Sequence, residues 1–325
     1  MSFIEQDRGY ALIMKPYINN LLELINNGEM DNTYKMSWIK SIVEVCEKHC
    51  KEEIHFDELS PIIFKYYWNQ TIFFNLYQSA NKTKKPKIIQ FVEEEIESHK
   101  KKYNTSQPIA YIRLRDSIRK TVIKKISTVL KENVSWRFLI LNKKEYDTYS
   151  FDLENKTIKV KHPDVIKEYS DILHQAINYR WSQKLEDYDG SPRICKKIKG
   201  IDRDQTPKRN SLKRFHKYLD MENPKKICFL DEDEIPNGEL SVDHVIPWSY
   251  MFEDDLWNLV YVKKGPNSSK GNIIPEESLI VKLEKRNKNL LKILIENGIK
   301  GKDVDELQLS IEKDYLRRFW IGYKG

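Results

Sequence analysis

The segment that decides the fold contains three stretches, LSVDHVIPWSY (240–250), DDLWNLVYV (254–262) and PNSSKGNIIP (266–275). The first begins with a short β-prone run that ends at Val242, directly before Asp243 and His244. A second short strand is predicted over Leu259–Val262. Pro266 suits the first turn of a helix, because its missing N–H has no partner to lose there. The segment therefore predicts a strand, a loop, a second strand and a helix in close succession.

This unit would bring several polar side chains towards one cleft. Asp243 offers carboxylate oxygens and Asn267 an amide oxygen, and both are ligands that Mg²⁺ accepts in proteins. His244 belongs to the residue type whose unperturbed pKa lies near neutrality, so it suits proton transfer from an attacking water. From the neighbouring strand Asn258 would orient that imidazole, and Lys270 would contact phosphate. The combination points to metal-assisted phosphodiester hydrolysis.

The three stretches together resemble the ββα-metal, or HNH, nuclease motif. Asn258 stands 15 residues after Asp243, Asn267 stands 24 after it and Lys270 stands 27 after it. That spacing is similar to the spacing in the HNH domains of RNA-guided CRISPR nucleases. The sequence of the three stretches resembles HNH proteins of bacterial restriction and anti-phage defence still more closely. The resemblance implies a divalent cation (Mg²⁺, Mn²⁺ or another) and a histidine general base. It makes His244 the first H, Asn258 the central N, Asn267 the final position and Asp243 the preceding acidic ligand.

The chain departs from many HNH relatives, which brace the motif with a zinc ion held by two CxxC pairs. The first pair would fall on Cys228-Phe-Leu-Asp231, which offers one thiol. The second would fall near residues 263–267, which contain no cysteine. One thiol does not make a tetrahedral four-cysteine site. We therefore predict that the chain has no structural zinc.

The charge of the chain is uneven. The formal net charge is +7, yet residues 191–230 carry twelve Lys and Arg against four acids, and residues 81–125 carry thirteen against five. A solvated helical face explains such a block as well as a phosphate-backbone footprint does. Because the first block directly precedes the motif, we predict nucleic-acid contacts there and at Lys270. The predicted contact residues of the block are Lys196, Lys197, Lys199, Arg203, Lys208, Arg209, Lys213 and Arg214.

The length of 325 residues suggests two domains. Residues 10–132 show helical periodicity, and the short β-prone runs Arg137–Leu141, Thr148–Phe151 and Thr157–Val160 predict a small meander. The turn signal near residue 190 separates a predicted recognition, partner or dimerisation domain (1–190) from a basic segment with the nuclease domain (191–325, core motif 227–285). We predict an α+β fold: a mostly helical N-terminal domain with a small β meander, then a ββα-metal HNH unit with C-terminal helices. One of these helices is predicted around 276–296, where apolar residues recur at amphipathic helical spacing: Leu279, Ile280, Leu283, Leu290, Leu291 and Leu294.

The rest of the composition excludes several classes of protein. No apolar run approaches a membrane span, and no basic and apolar leader opens the chain. Four scattered cysteines are too few for a disulfide framework, which indicates a reduced, cytoplasmic protein.

The sequence thus predicts a metal-dependent HNH endonuclease that acts on DNA in restriction or phage defence, as a homodimer or with a partner subunit. Two alternatives stay open. One is a non-catalytic nucleic-acid-binding or assembly subunit with a structural HNH unit. The other is an RNA-directed nuclease, because the motif grips phosphate rather than sugar.

Overall fold

A computed structural model describes residues 3–81, 83–104, 109–188, 192–201, 210–264 and 274–324. The predicted site residues Asn267, Lys270, Arg203, Lys208 and Arg209 lie outside these ranges. The chain forms two compact units. The first comprises residues 1–102, 109–189 and 197–206, and the second comprises residues 103–108, 190–196 and 207–325. Each is described by itself.

The first unit is mainly helical. Its helices are α1 (Phe3–Asn27), α2 (Tyr34–His49), α3 (Phe56–Phe74), α4 (Lys87–Tyr103), α5 (Asp116–Glu132), α6 (Val134–Arg137), α7 (Pro163–Glu168) and α8 (Ser170–Tyr188). The start of α3 is fixed by a reciprocal cap, in which the His55 ring accepts a hydrogen bond from the Asp57 N–H and the Glu58 carboxylate accepts one from the His55 N–H.

The core of the first unit is built from aromatic side chains. Trp38 of α2, Tyr67 and Trp68 of α3 and Trp181 of α8 are buried. The Tyr67 and Trp181 rings pack at an angle, with centroids 6.0 Å apart. The aromatic run of α3 is therefore occupied by packing and is not available to stack on bases.

Two small sheets complete the first unit. The strands are β1 (Glu53–His55), β2 (Ile140–Leu141), β3 (Lys144–Glu145), β4 (Tyr149–Asp152) and β5 (Thr157–Val160). They pair in antiparallel fashion, in the order β1-β5-β4 in one sheet and β2-β3 in the other. The three predicted runs therefore do not form one meander, because the first pairs with β3 while the other two form a hairpin that β1 extends.

The predicted strand over Arg137–Leu141 is wrong at its start. Arg137 ends α6, and the Phe138 N–H still bonds the Val134 carbonyl at 3.1 Å. Phe138 and Leu139 are both buried. A strand would send consecutive side chains to opposite faces, so a continued helical turn buries this pair better.

The second unit contains the fold-deciding segment. Its elements are α9 (Ile194–Ile201, which begins here and ends among residues of the first unit), α10 (His216–Glu222), β6 (Leu240–His244), α11 (Trp248–Met251), β7 (Leu259–Lys263), α12 (Glu277–Glu296), α13 (Lys302–Glu312) and α14 (Tyr315–Lys324). The strands β6 and β7 form an antiparallel ribbon. Leu283, Leu290 and Leu294 of α12 are fully buried in the same core as Val262 of β7.

The mixture of helices and small sheets agrees with the predicted α+β class. The predicted second strand and the helix expected over 276–296 are present as β7 and α12. Within the ranges given above, no helix combines the length and the apolar character that crossing a bilayer requires.

Candidate active site

The β6–β7 ribbon positions the predicted catalytic pair. Its register sets Asp243 opposite Val260 and His244 opposite Leu259. Every residue of β7 except the last is buried, and its β-branched Val260 and Val262 suit a pleated, packed surface. Asp243 is half-buried, whereas His244, the last residue of β6, exposes 4% of its surface. The ribbon therefore presents the histidine at its end, where the chain leaves the sheet.

Asn258 fixes the backbone that follows this histidine. Its amide oxygen accepts a hydrogen bond from the Ile246 N–H, and its amide nitrogen donates one to the Ile246 carbonyl, each at 2.8 Å. The Asn258 carbonyl also accepts from the Val245 N–H at 2.9 Å. Asn258 is fully buried. Its side chain thus pins the loop two residues beyond His244, and its influence on the imidazole passes through the backbone.

An acid that sequence reasoning missed lies against the imidazole. The Asp254 carboxylate Oδ1 is 3.0 Å from His244 Nε2, and Asp254 is itself 8% exposed. An ionised carboxylate only accepts hydrogen bonds, so Nε2 carries the proton in the neutral ring and Nδ1 holds the lone pair. The only signal in the sequence was the Asp254-Asp255 pair ten residues after the histidine, which carries no periodicity of its own.

The neighbouring Asp255 has a different environment. It is buried, and its Oδ2 is 3.2 Å from Nη2 of Arg193. Burial raises the pKa of Asp255, and the guanidinium of Arg193 opposes that shift. Arg193 also donates to the Met251 carbonyl at 3.1 Å. This aspartate therefore anchors the chain at residue 193 to the loop that carries Asp254.

Helix α12 supports the segment around Asn258 from behind. Arg286 Nη2 donates to the Leu259 carbonyl at 2.6 Å, and Asn287 Nδ2 donates to the Trp257 carbonyl at 2.9 Å. Burial lowers the pKa of Arg286 to about 10. Two successive helix residues thus hold the backbone on either side of Asn258.

An ion-pair cluster lies where Cys228–Asp233 meets the end of β7. The Lys263 ammonium is 3.0 Å from an Asp231 oxygen and 2.9 Å from an Asp233 oxygen. Hydrogen bonds from the Cys228 thiol and then from Lys263 lower the pKa of Asp231 to about 2. Here one cation of the chain links the two acids of the Cys228–Asp233 turn to the end of β7.

The described residues offer limited material for a metal. Among them, no group of three or more His, Cys, Asp or Glu side chains is arranged to hold an ion. Mg²⁺ needs only one or two carboxylates because water and substrate phosphate fill its other positions. The half-buried Asp243 meets that requirement in its donor chemistry. Its predicted partner, Asn267, lies outside the described ranges.

The predicted DNA-contact residues have diverse surroundings. Lys213 is exposed, and Lys196 is exposed with its ammonium 2.5 Å from Glu253. Arg214 is 3.7 Å from Asp303. Lys197 is fully buried, with its ammonium 5.8 Å from the Phe74 ring centroid. A phosphate backbone does not reach such a group, so Lys197 does not suit the predicted contact. Lys199 lies in α9, and the structure does not describe its side chain.

Comparison with known proteins supports the resemblance for the motif segment. Residues 229–276 match the model of the family described as HNH endonuclease. The match supports the HNH nuclease family for this part of the chain and indicates nuclease activity on nucleic acid. Searches among curated proteins and among solved structures gave no match.

Proposed function

We propose that this chain is a divalent-metal-dependent endonuclease that hydrolyses phosphodiester bonds in DNA, with His244 as its general base. The observation that carries the proposal is the 3.0 Å contact between His244 Nε2 and the Asp254 carboxylate. It lies at the end of the β6–β7 ribbon, inside the segment that matches the HNH family.

The contact supplies the proton chemistry that hydrolysis requires. With Nε2–H held by Asp254, the lone pair of His244 Nδ1 takes a proton from a water molecule. The water oxygen forms a bond to phosphorus while the bond from phosphorus to the 3′-oxygen breaks, and the leaving 3′-oxygen takes a proton from solvent water. The carboxylate of Asp254 then stabilises the imidazolium that has formed, as a buried acid does in other histidine-based sites.

Asp243 and Asn267 are the residues that would hold the metal ion. When bound, a hard divalent cation supplies charge stabilisation at the phosphate and at the leaving oxygen. Asn258, Arg286 and Asn287 act on the same site by fixing the backbone on which His244 sits.

Contacts with the phosphate backbone would position the DNA without reading its sequence. Lys213 is exposed and suits such contacts. Lys196 and Arg214 are also exposed, but Lys196 pairs with Glu253 and Arg214 lies 3.7 Å from Asp303, so DNA would compete with these carboxylates. Lys199, Arg203, Lys208, Arg209 and Lys270 remain predicted contacts. A role in restriction or phage defence, and action as a homodimer or with a partner subunit, rest on the resemblance of the motif text to proteins of that kind.

Cleavage of supercoiled plasmid tests the proposal. The wild-type chain should produce nicked or linear DNA with Mg²⁺ and none with EDTA. His244→Ala should lose cleavage by at least ~10²-fold while it keeps its circular dichroism spectrum and its affinity for DNA. Undiminished cleavage by this variant would remove His244 as the base. Cleavage of RNA in place of DNA would identify the other substrate, and binding without cleavage by the wild type would favour the non-catalytic subunit.

A further inference from the structure

The basic block at residues 81–125 spans two helices whose charges differ. Helix α4 carries four lysines and four glutamates, so its formal charge is zero. Two of the cations on and beside it form ion pairs: Lys85 is 2.8 Å from Glu93, and Lys100 is 3.5 Å from Glu97. Helix α5 carries five Lys and Arg against two acids, a net of +3. Of the two helices, α5 therefore carries the excess positive charge, and the rest of the charge of the block lies in the segments that precede α4 and α5.

Both acids of α5 are committed to cations at the ends of the helix. Asp116 bonds Arg119 in the first turn, and Glu132 in the last turn is 2.8 Å from Lys87 of α4. The middle of the outer face holds Lys120 and Lys124, which are exposed. In the part of the chain that the structure describes, no carboxylate forms an ion pair with either ammonium. The middle of the helix thus presents positive charge that no described carboxylate neutralises.

The opposite face of α5 fixes the orientation of these lysines. Val122, Ile126 and Leu130 are buried in the first unit. Because the helix repeats every ~3.6 residues, Lys120 and Lys124 point away from this apolar stripe and lie ~6 Å apart along the axis. The residues beside them, Thr121 and Thr128, are exposed and uncharged. The helix therefore holds two cations in a row on a rigid, solvent-facing surface.

We propose that this outer face of α5 binds the phosphate backbone of duplex DNA, as a contact separate from the HNH unit. The proposal rests on the proposed function for the identity of the nucleic acid. Duplex DNA presents a phosphate every ~3.4 Å of axis on each strand, and lysines bind such charges by releasing counterions. The exposed face carries no aromatic side chain from residue 117 to residue 131, and single-strand binding relies on aromatic stacking. Its chemistry fits the backbone of a duplex and not its bases.

Salt-dependent binding tests the proposal. A fluorescent DNA duplex is titrated with the 325-residue His244→Ala chain, without divalent metal, from 50 to 200 mM salt. Lys120→Gln/Lys124→Gln in that background should weaken binding and reduce the slope of log K against log[salt] by about 2, close to 0.9 for each phosphate that the variant no longer neutralises.

The control removes the same charge elsewhere in the first unit. Lys159→Gln/Lys161→Gln replaces two exposed lysines that are paired with Glu52 and Asp147. Its salt slope should stay within 0.5 of the parent, an allowance set at roughly half of one phosphate contact.

Equal losses of affinity in the two double variants would show that only net charge matters and would overturn the α5 contact. The α5 contact is also overturned if Lys120→Gln/Lys124→Gln binds the duplex as tightly as the parent does. If the wild-type chain cleaves DNA in that case, the proposed nuclease activity is unaffected. The converse outcome is that the wild-type chain shows no cleavage while Lys120→Gln/Lys124→Gln still lowers duplex affinity. That result would support the α5 contact and refute the proposed nuclease activity. Preference for duplex RNA over duplex DNA would overturn the named occupant.

Discussion

Replacing Asn258 distinguishes a structural pin from a residue that acts on the substrate directly. Asn258→Ala deletes both side-chain hydrogen bonds to Ile246 and leaves that residue's N–H and carbonyl without their partners. Since Asn258 is fully buried, solvent does not simply replace the missing bonds. The change should therefore reduce the stability of the second unit and release the loop that follows His244.

The magnitude follows from the two groups that lose their partners. Each buried polar group left unsatisfied costs ~1–3 kcal/mol, so the pair should cost about 2–6 kcal/mol. Domains are stable by only ~5–15 kcal/mol, so the variant should unfold at a clearly lower urea concentration. Cleavage of plasmid should fall in parallel, because the general base loses its fixed position.

Asn258→Asp provides a matched control of nearly identical shape. Its carboxylate still accepts from the Ile246 N–H, but its second oxygen faces the Ile246 carbonyl without a proton to share. Burial and this repulsion raise the pKa of the introduced carboxyl above its ordinary value of ~3.9. The folded state then binds a proton more readily than the unfolded state, so the stability lost relative to wild type should shrink from pH 7 to pH 5. The loss of stability in Asn258→Ala should not change over that range.

Urea unfolding followed by tryptophan fluorescence at both pH values, together with plasmid nicking, measures these effects. If Asn258→Ala unfolds at the same urea concentration as the wild type, the structural role of Asn258 at Ile246 is refuted. Unchanged stability with complete loss of cleavage would refute it as well, because Asn258 would then act on the reaction itself.

Two further predictions concern acids of the second unit. Asp254→Asn should lower the cleavage rate by ~10²–10⁴-fold with little change in DNA affinity, because an amide no longer enforces the Nε2–H tautomer of His244 or stabilises the imidazolium. Single-turnover cleavage measures the rate, and duplex binding measures the affinity. A wild-type cleavage rate would exclude Asp254 as a positioning residue. Asp231 has a folded-state pKa of about 2 against an ordinary ~3.8, so the stability it contributes is complete above pH ~4 and is lost as the pH falls towards 2. The difference in urea midpoint between wild type and Asp231→Asn should therefore be larger at pH 6 than at pH 3, and a difference that grows on acidification would contradict the assigned ion pair.

The sequence predicted those parts of the second unit that depend on local patterns. The β-branched and apolar run after Asn258 predicted β7, and the spaced leucines predicted α12 over 276–296. It also selected Asn258 as a key position, by register with the motif. These features depend on residues close together in the chain, where periodicity and propensity carry information.

Contacts between residues far apart in the chain could not be predicted from the sequence. Arg286 and Asn287 look like ordinary helix residues, and only the packing of α12 brings them to the carbonyls beside Asn258. Strand β1, three residues long, pairs with β5 about a hundred residues later. The burial of Lys197 likewise reflects tertiary packing that charge counting does not detect. The pairing of Asp254 with His244 depends on how the loop between β6 and β7 folds back.

The two ends of the β6–β7 ribbon are held by different kinds of interaction, and this difference bears on the proposed catalysis. Its pairs run from Leu240–Lys263 to His244–Leu259, so the ends lie ~14 Å apart. At the Lys263 end, ion pairs to two exposed acids hold the turn, and salt and acid weaken such pairs. At the His244 end, buried hydrogen bonds from Asn258 and Arg286 hold the backbone, and salt screens these far less. Salt therefore affects the end that carries the proposed general base less than the other end, so high salt should release DNA well before it displaces His244.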